Sequence, residues 1–144
     1  MIKKIDHINI VVSDLKKSTE FFTALGFLVN HQSQLSGEWV DLIVGLKNVQ
    51  AEYVQLALPD TETRIELIHY ASPPSEKDPL MGKSNQLGFR HIAFEVSNIQ
   101  ATVESLKEMG VELLSPIQTY PKTGKRLVYL FGPDNILLEL AQYS

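Results

Sequence analysis

Ile5-Asp6-His7-Ile8-Asn9-Ile10-Val11-Val12-Ser13-Asp14-Leu15 returns 84 positions later, without a gap, as Phe89-Arg90-His91-Ile92-Ala93-Phe94-Glu95-Val96-Ser97-Asn98-Ile99. His7 matches His91, Ile8 matches Ile92, Val12 matches Val96, and the parallel runs on to Gly26 and Gly110. A second echo has an offset of 73: Arg64-Ile-Glu-Leu-Ile-His-Tyr70 resembles Leu137-Leu-Glu-Leu-Ala-Gln-Tyr143, which sets Glu66 against Glu139. The chain is therefore a tandem repeat in which each half carries one His early and one Glu late.

Outward from these runs, the apolar pattern predicts the same elements in each half. Ile5–Val12 reads as a buried strand. Ser13 or Asp14 caps a helix with Leu15, Thr19, Phe22 and Leu25 on one face, ending near Gly26. Phe27–Gln34, Trp39–Val44, Glu52–Leu58 and Arg64–Tyr70 read as strands, with a turn at Pro59-Asp60-Thr61. In the second half Phe89–Val96 is a strand, Asn98 caps a helix bearing Ile99, Val103, Leu106 and Met109, and Gly110 ends it. Val111–Leu114, Arg126–Phe131 and Ile136–Ala141 complete the strands, with a turn over Gly132-Pro-Asp-Asn135. The expected organisation is a first βαβββ module over residues 1–70, a Pro- and Ser-rich linker over 71–87 and a second module over 88–144. The interval from His to Glu is 59 residues in the first half and 48 in the second, and a longer hairpin around Val44–Leu56 is expected to absorb the difference.

Alternate strand residues face opposite sides. Ile8, Ile10 and Val12 form the side that packs on the helix, so His7, Asn9 and Val11 face away. In the second half Ile92, Phe94 and Val96 pack, so His91, Ala93 and Glu95 face away. By the same parity Ile65 and Leu67 set Glu66 outward, and Leu138 and Leu140 set Glu139 outward. One such His or Glu is ordinarily a packing or solvated residue. Four of them, at matching parity in both halves, point to a metal site of His7, Glu66, His91 and Glu139. His69, on the packing side and matched by Gln142, reads as structural. His31 has no echo, and Glu95 is matched by Val11, so neither joins the set.

The totals narrow the function. At 144 residues the chain is long enough for one compact domain and needs no disulfide to fold. It has no Cys, which removes disulfides, thiolate nucleophiles and Cys-ligated zinc. The net charge of −4 and the scattered basic residues argue against nucleic acid. No segment approaches the ~20 apolar residues of a membrane span, and the expectation is a cytoplasmic protein.

These residues resemble the vicinal oxygen chelate superfamily, which includes glyoxalase, methylmalonyl-CoA epimerase, extradiol dioxygenases and bleomycin-resistance proteins. Asp6-His7-Ile-Asn-Ile-Val-Val-Ser-Asp14 and Arg90-His91-Ile-Ala-Phe-Glu-Val96 are similar to its strand-opening motifs. Ile65-Glu66-Leu67 and Gly132-Pro-Asp-Asn-Ile-Leu-Leu-Glu139-Leu140 are similar to its closing motifs. The resemblance implies an α+β fold of two βαβββ modules, eight strands curving as a mixed sheet around a metal-binding cleft. It implies His7, Glu66, His91 and Glu139 as ligands of one divalent ion, and a homodimer.

Two imidazoles and two carboxylates without thiolate suit a six-coordinate Ni, Co, Mn, Zn or Fe ion with positions left for substrate oxygens. Such an ion polarises a carbonyl, and Glu139 and Glu66 stand where two bases would take and return the neighbouring proton. The expected chemistry is that of glyoxalase or an acyl-CoA epimerase, a metal-dependent lyase or isomerase. An Fe(II) extradiol dioxygenase would use His7, His91 and Glu139 and leave Glu66 without a role. A non-enzymatic antibiotic-binding protein would need none of the four. Lys122, Lys125 and Arg126 fall in a Gly-containing loop that reads as a solvated loop or as a flexible basic flap for the anionic tail of a thioester or glutathione adduct. Asn9 shares the face of His7, and Trp39 and Tyr129 are candidate lining residues.

Overall fold

The computed structural model describes residues 1–144 and divides them into two compact units, Met1–Lys77 and Asp78–Ser144. The first unit contains strand β1 (His7–Val11), helix α1 (Leu15–Ala24), β2 (Leu28–Ser36), helix α2 (Glu38–Val44), β3 (Gln50–Ala57) and β4 (Arg64–Ser72). Its sheet has the order β1-β4-β3-β2, with β1 parallel to β4 and the other pairs antiparallel. The second unit contains β5 (His91–Glu95), α3 (Ile99–Glu108), β6 (Gln118–Thr119), β7 (Arg126–Phe131) and β8 (Leu137–Gln142). Its order, β5-β8-β7-β6, is the same arrangement, again with the first strand parallel to the last. The eight strands are thus two four-stranded mixed sheets, one for each copy of the repeat. No helix is long and apolar enough to cross a membrane.

The repeat extends to the caps. The Asp14 carboxylate accepts from the Lys17 backbone N–H at 2.9 Å, and the Asn98 side chain accepts from that of Ala101 at 3.1 Å. Each satisfies one of the unpaired donors at a helix start. Phe22 is fully buried beneath α1, edge-on to Phe21 and Phe27, and Ile99, Val103 and Leu106 form the buried stripe of α3. Against these stripes the sheets set Ile10, Leu56, Ile65 and Leu67 in the first unit, and Val128, Leu130, Leu138 and Leu140 in the second. Complete burial of a Leu or Ile side chain contributes roughly 1.5–3 kcal/mol, so this core fixes strand register. His69 Nδ1 donates to the Val12 carbonyl at 3.1 Å, while Gln142, its match in the repeat, accepts from the Ile99 N–H at 2.8 Å. Both side chains tie the last strand of a module to its strand–helix junction, a structural role.

Three expectations need correction. Trp39–Val44 is helix α2, not a strand. A short apolar run has no periodicity that separates the two, and here the flanking glycines decide. Gly37 and Gly45 both take positive φ, +100° and +69°, and the Gly45 N–H returns to the Asp41 carbonyl. Asp41 also accepts from the Asn48 and Val49 backbones at 3.0 and 2.8 Å, holding the exit loop. Val40 packs with Val49, Ala51 and Ile68, whereas Trp39, Leu42 and Ile43 are exposed. The extra residues of the first half are therefore built around this helix rather than a longer hairpin. In the second half Val111–Leu114 forms no strand: Leu113 makes one isolated bridge to Leu130, and regular pairing begins at Gln118. Pro116, which has no N–H to donate, interrupts the run between them.

Candidate metal centre

Strand register brings each His to its own Glu. In the first unit Asn9 lies beside Glu66, and His7, one pleat earlier on the same face, reaches it: Nε2 is 3.4 Å from Glu66 Oε2. In the second, Ala93 lies beside Glu139 and His91 Nε2 is 3.2 Å from Glu139 Oε2. Parity thus orients all four residues as the sequence predicted. Neither unit by itself gathers three metal-ligating side chains.

The hydrogen-bond pattern of the first pair bears on what fits between its members. His7 Nδ1 lies 2.8 Å from Asp6 Oδ2 and donates to it, which holds the Asp6 carboxyl below its ordinary value. With its proton on Nδ1, the neutral ring offers only an acceptor at Nε2, and that acceptor faces a carboxylate oxygen, itself an acceptor. Two acceptors 3.4 Å apart repel one another, and a cation between them, a proton or a metal ion, relieves that repulsion. Donors about 2.1 Å from one ion and at right angles lie ~3 Å apart, close to both His–Glu separations. A carboxylate on the far ring nitrogen is also the usual outer support of a metal-binding imidazole. The donors of the first pair therefore suit a divalent ion as well as a proton.

The remaining contacts differ between the copies. Glu66 Oε1 accepts from Gln55 Nε2 at 3.0 Å, and Gln55 Oε1 accepts from Asn30 at 2.7 Å. Glu139, only 5% exposed, accepts instead from Lys125 Nζ at 2.8 Å. That hydrogen bond, followed by the Glu139 charge, raises the Lys125 ammonium above its ordinary value. Tyr129 lies directly across from Glu139, with its hydroxyl 3.5 Å from His91 Nε2 and its ring 4.8 Å from the imidazole. Burial first, and then the Glu139 charge, raises the Tyr129 phenol.

Lys125, Lys122 and Arg126 do not form one basic flap. The 120–125 turn is closed by hydrogen bonds from Tyr120 N–H to the Lys125 carbonyl at 2.8 Å and from Gly124 N–H to the Tyr120 carbonyl at 2.9 Å. Lys122 is exposed, and Lys125 alone meets Glu139. Counting back from Tyr129 by twos reaches Leu127 and Lys125, so strand parity assigns Lys125 to the Glu139 face without a structure. Gln55 was equally findable, because it pairs with Glu66 as Tyr129 pairs with Glu139.

A family model for the Glyoxalase/Bleomycin resistance protein/Dioxygenase superfamily matches residues 4–140. The chain is 33% identical to the uncharacterized protein YwkD of Bacillus subtilis, over 97% of both chains. It is 30% identical to the mitochondrial methylmalonyl-CoA epimerase of Homo sapiens, over 96% of this chain and 73% of that protein. Its fold superposes on the crystal structure of a glyoxalase family protein from Bacillus cereus with a TM-score of 0.92 and 30% identity, covering 99% of this chain and 95% of the other. A repeated strand–helix–sheet module, a His and a Glu facing one another in each copy, and a family match over nearly the whole length agree, and the chain belongs to the Glyoxalase/Bleomycin resistance protein/Dioxygenase superfamily.

Proposed function

We propose that this protein is a divalent-metal-dependent isomerase or lyase that moves a proton next to a substrate carbonyl, with His7, Glu66, His91 and Glu139 holding one ion. The observation that carries this reading is the His–Glu pair repeated in both units, at 3.4 and 3.2 Å. Similarity to methylmalonyl-CoA epimerases supports the epimerase form of the chemistry. The bound ion would polarise the carbonyl oxygen and so acidify the adjacent C–H.

The rest is done by the chain. Glu66 and Glu139 serve as the proton acceptor and donor, one for each face of the substrate carbon. Asp6 fixes the tautomer and orientation of His7 through Nδ1. Gln55 and Lys125 each occupy one oxygen of their acid, so the second oxygen is turned to the imidazole. Tyr129 packs its ring against the His91 imidazole, 4.8 Å between centres, and so fixes the plane of that ring. A ring-cleaving dioxygenase leaves Glu66 without a role, yet Glu66 is held by two side chains, His7 at 3.4 Å and Gln55 at 3.0 Å. The proposal extends to a homodimer, which sedimentation of the purified chain tests.

The experiment is proton exchange. Metal-loaded protein in D2O, given a 2-methyl-branched acyl-CoA thioester or a glutathione hemithioacetal, is expected to place deuterium on the carbon beside the carbonyl. Glu139→Gln should slow this by about 10²–10⁴-fold. No exchange with either class, from protein carrying a full complement of metal, would refute the reading.

A further inference from the structure

Asn30 is set against Gln55 by an irregularity of the first sheet. Strand β2 pairs Val29 with Leu56 and His31 with Gln55, so Asn30 is the extra residue of a β-bulge and two residues of β2 stand opposite one of β3. The His31 ring lies against Tyr53, with 5.6 Å between centres. Asn30, exposed on this edge strand, turns its side-chain amide to Gln55. The second unit is built differently: Tyr129 stands in the place of Gln55, and Lys125 supplies the donor to Glu139.

A carboxamide has a donating and an accepting end, whereas an ionised carboxylate only accepts. Gln55 must therefore turn Nε2 to Glu66 Oε1, 3.0 Å away. Its own Oε1 is then left facing Asn30, where only a donor satisfies it, and Asn30 Nδ2 donates to it at 2.7 Å. The direction of the relay, from Asn30 through Gln55 to Glu66, follows from the chemistry of its three members. With Glu66 Oε1 occupied, Oε2 is the oxygen left to His7. We propose that Asn30 is a positioning residue: by holding the Gln55 amide in one of its two orientations it keeps Glu66 Oε1 occupied and Oε2 free for the ion and the proton, a role that rests on the metal-dependent reading above.

Asp in place of Asn30 keeps the shape and removes the donor. The new acceptor draws Gln55 Nε2 to itself, Oε1 turns toward Glu66, and two acceptors meet there. A negative charge added at position 30 would by itself strengthen the hold on a cation. Weaker binding is therefore the mark of the relay. With Ala at the same position, water donates to the exposed Gln55 oxygen and the amide keeps its orientation.

The test measures zinc affinity of the full chain by competition with a chromogenic chelator. In the metal-free protein it also records the NOE contacts of the Gln55 side-chain amide protons. Asn30→Asp is expected to bind zinc about 10–100-fold more weakly and to lose the contact of Gln55 with the Glu66 γ-methylene, at an unchanged melting temperature. Asn30→Ala should keep that contact and most of the affinity. In a Gln55→Met background, Asn30→Asp should weaken zinc binding no further. Zinc held by Asn30→Asp at least as tightly as by the parent, or an equal loss in the Gln55→Met background, would overturn the proposal. A parent that takes up no zinc, with the Gln55 contact still lost in Asn30→Asp, upholds the orienting role of Asn30 and refutes the metal reading. Zinc uptake by the parent with the Gln55 contact unmoved in Asn30→Asp does the reverse.

Discussion

Gln55 and Tyr129 occupy the same position in the two copies of the repeat: each lies directly across a strand pair from the acid of its own module, Gln55 from Glu66 and Tyr129 from Glu139. The Gln donates to its acid at 3.0 Å, and the Tyr reaches the neighbouring His at 3.5 Å. The duplicated scaffold thus keeps its His and Glu while the residue between strands has diverged. The second copy also has Lys125 on its acid, so the two carboxylates are set in different charge environments.

Tyr129 carries a pH prediction. Its phenol is raised above the ordinary 10.0 by burial and by the Glu139 charge. A raised value in the folded state means that the protonated phenol stabilises the fold below about pH 10. That contribution is lost as pH climbs through the folded value. Phenolate absorbance across this range should show a late-ionising component that Tyr129→Phe removes; identical titration curves for the two proteins would contradict the assignment.

Adjacent residues on opposite faces of β4 should behave oppositely. Leu67→Ala opens the fully buried core and should cost about 2–5 kcal/mol of unfolding free energy. Glu66→Gln leaves the core intact and should instead abolish proton exchange with little change in melting. Denaturant titration together with the exchange assay reads both effects.

Asp14 and Asn98 cap equivalent helices, and Asp14→Ala and Asn98→Ala should each lower stability by about 1 kcal/mol. The sites belong to separate units and share no partner, so the double variant should lose the sum. A single variant that loses no stability in chemical denaturation would show that its cap is not formed, and a marked departure from additivity would show that the two sites are coupled.

Gly45→Ala addresses helix α2. Gly45 sits at φ +69°, a left-handed conformation that costs an L side chain roughly 1–2 kcal/mol. Melting should fall accordingly, whereas an Ala tolerated at no cost would show that α2 ends differently.

Most of this architecture was legible because repetition substitutes for an alignment. A strand read once from Ile5–Val12 was read again from Phe89–Val96, and two independent parities set His7 and His91 on the same side. In the first half burial follows those parities, with Ile10 and Leu67 inside and Asn9 outside, whereas β8 is buried on both faces and Glu139 with it. What escaped lies where the copies differ. Trp39–Val44 has no counterpart in the second half, and its helical state depends on two glycines and on Asp41 reaching across the loop. The pairing of Lys125 with Glu139 spans 14 residues and two strands, and proximity to Lys122 and Arg126 in sequence concealed that its side chain faces the other way from Arg126.

The central claim is that His7, Glu66, His91 and Glu139 hold one divalent ion. The most direct test is elemental analysis of the purified chain after incubation with Ni, Co, Mn, Zn or Fe(II) and removal of the excess, repeated with Glu66→Ala and Glu139→Ala. The account predicts about one ion per chain in the parent protein and loss of that ion in both variants, with folding retained. No bound ion under any loading condition, or an ion that both variants keep, would contradict it.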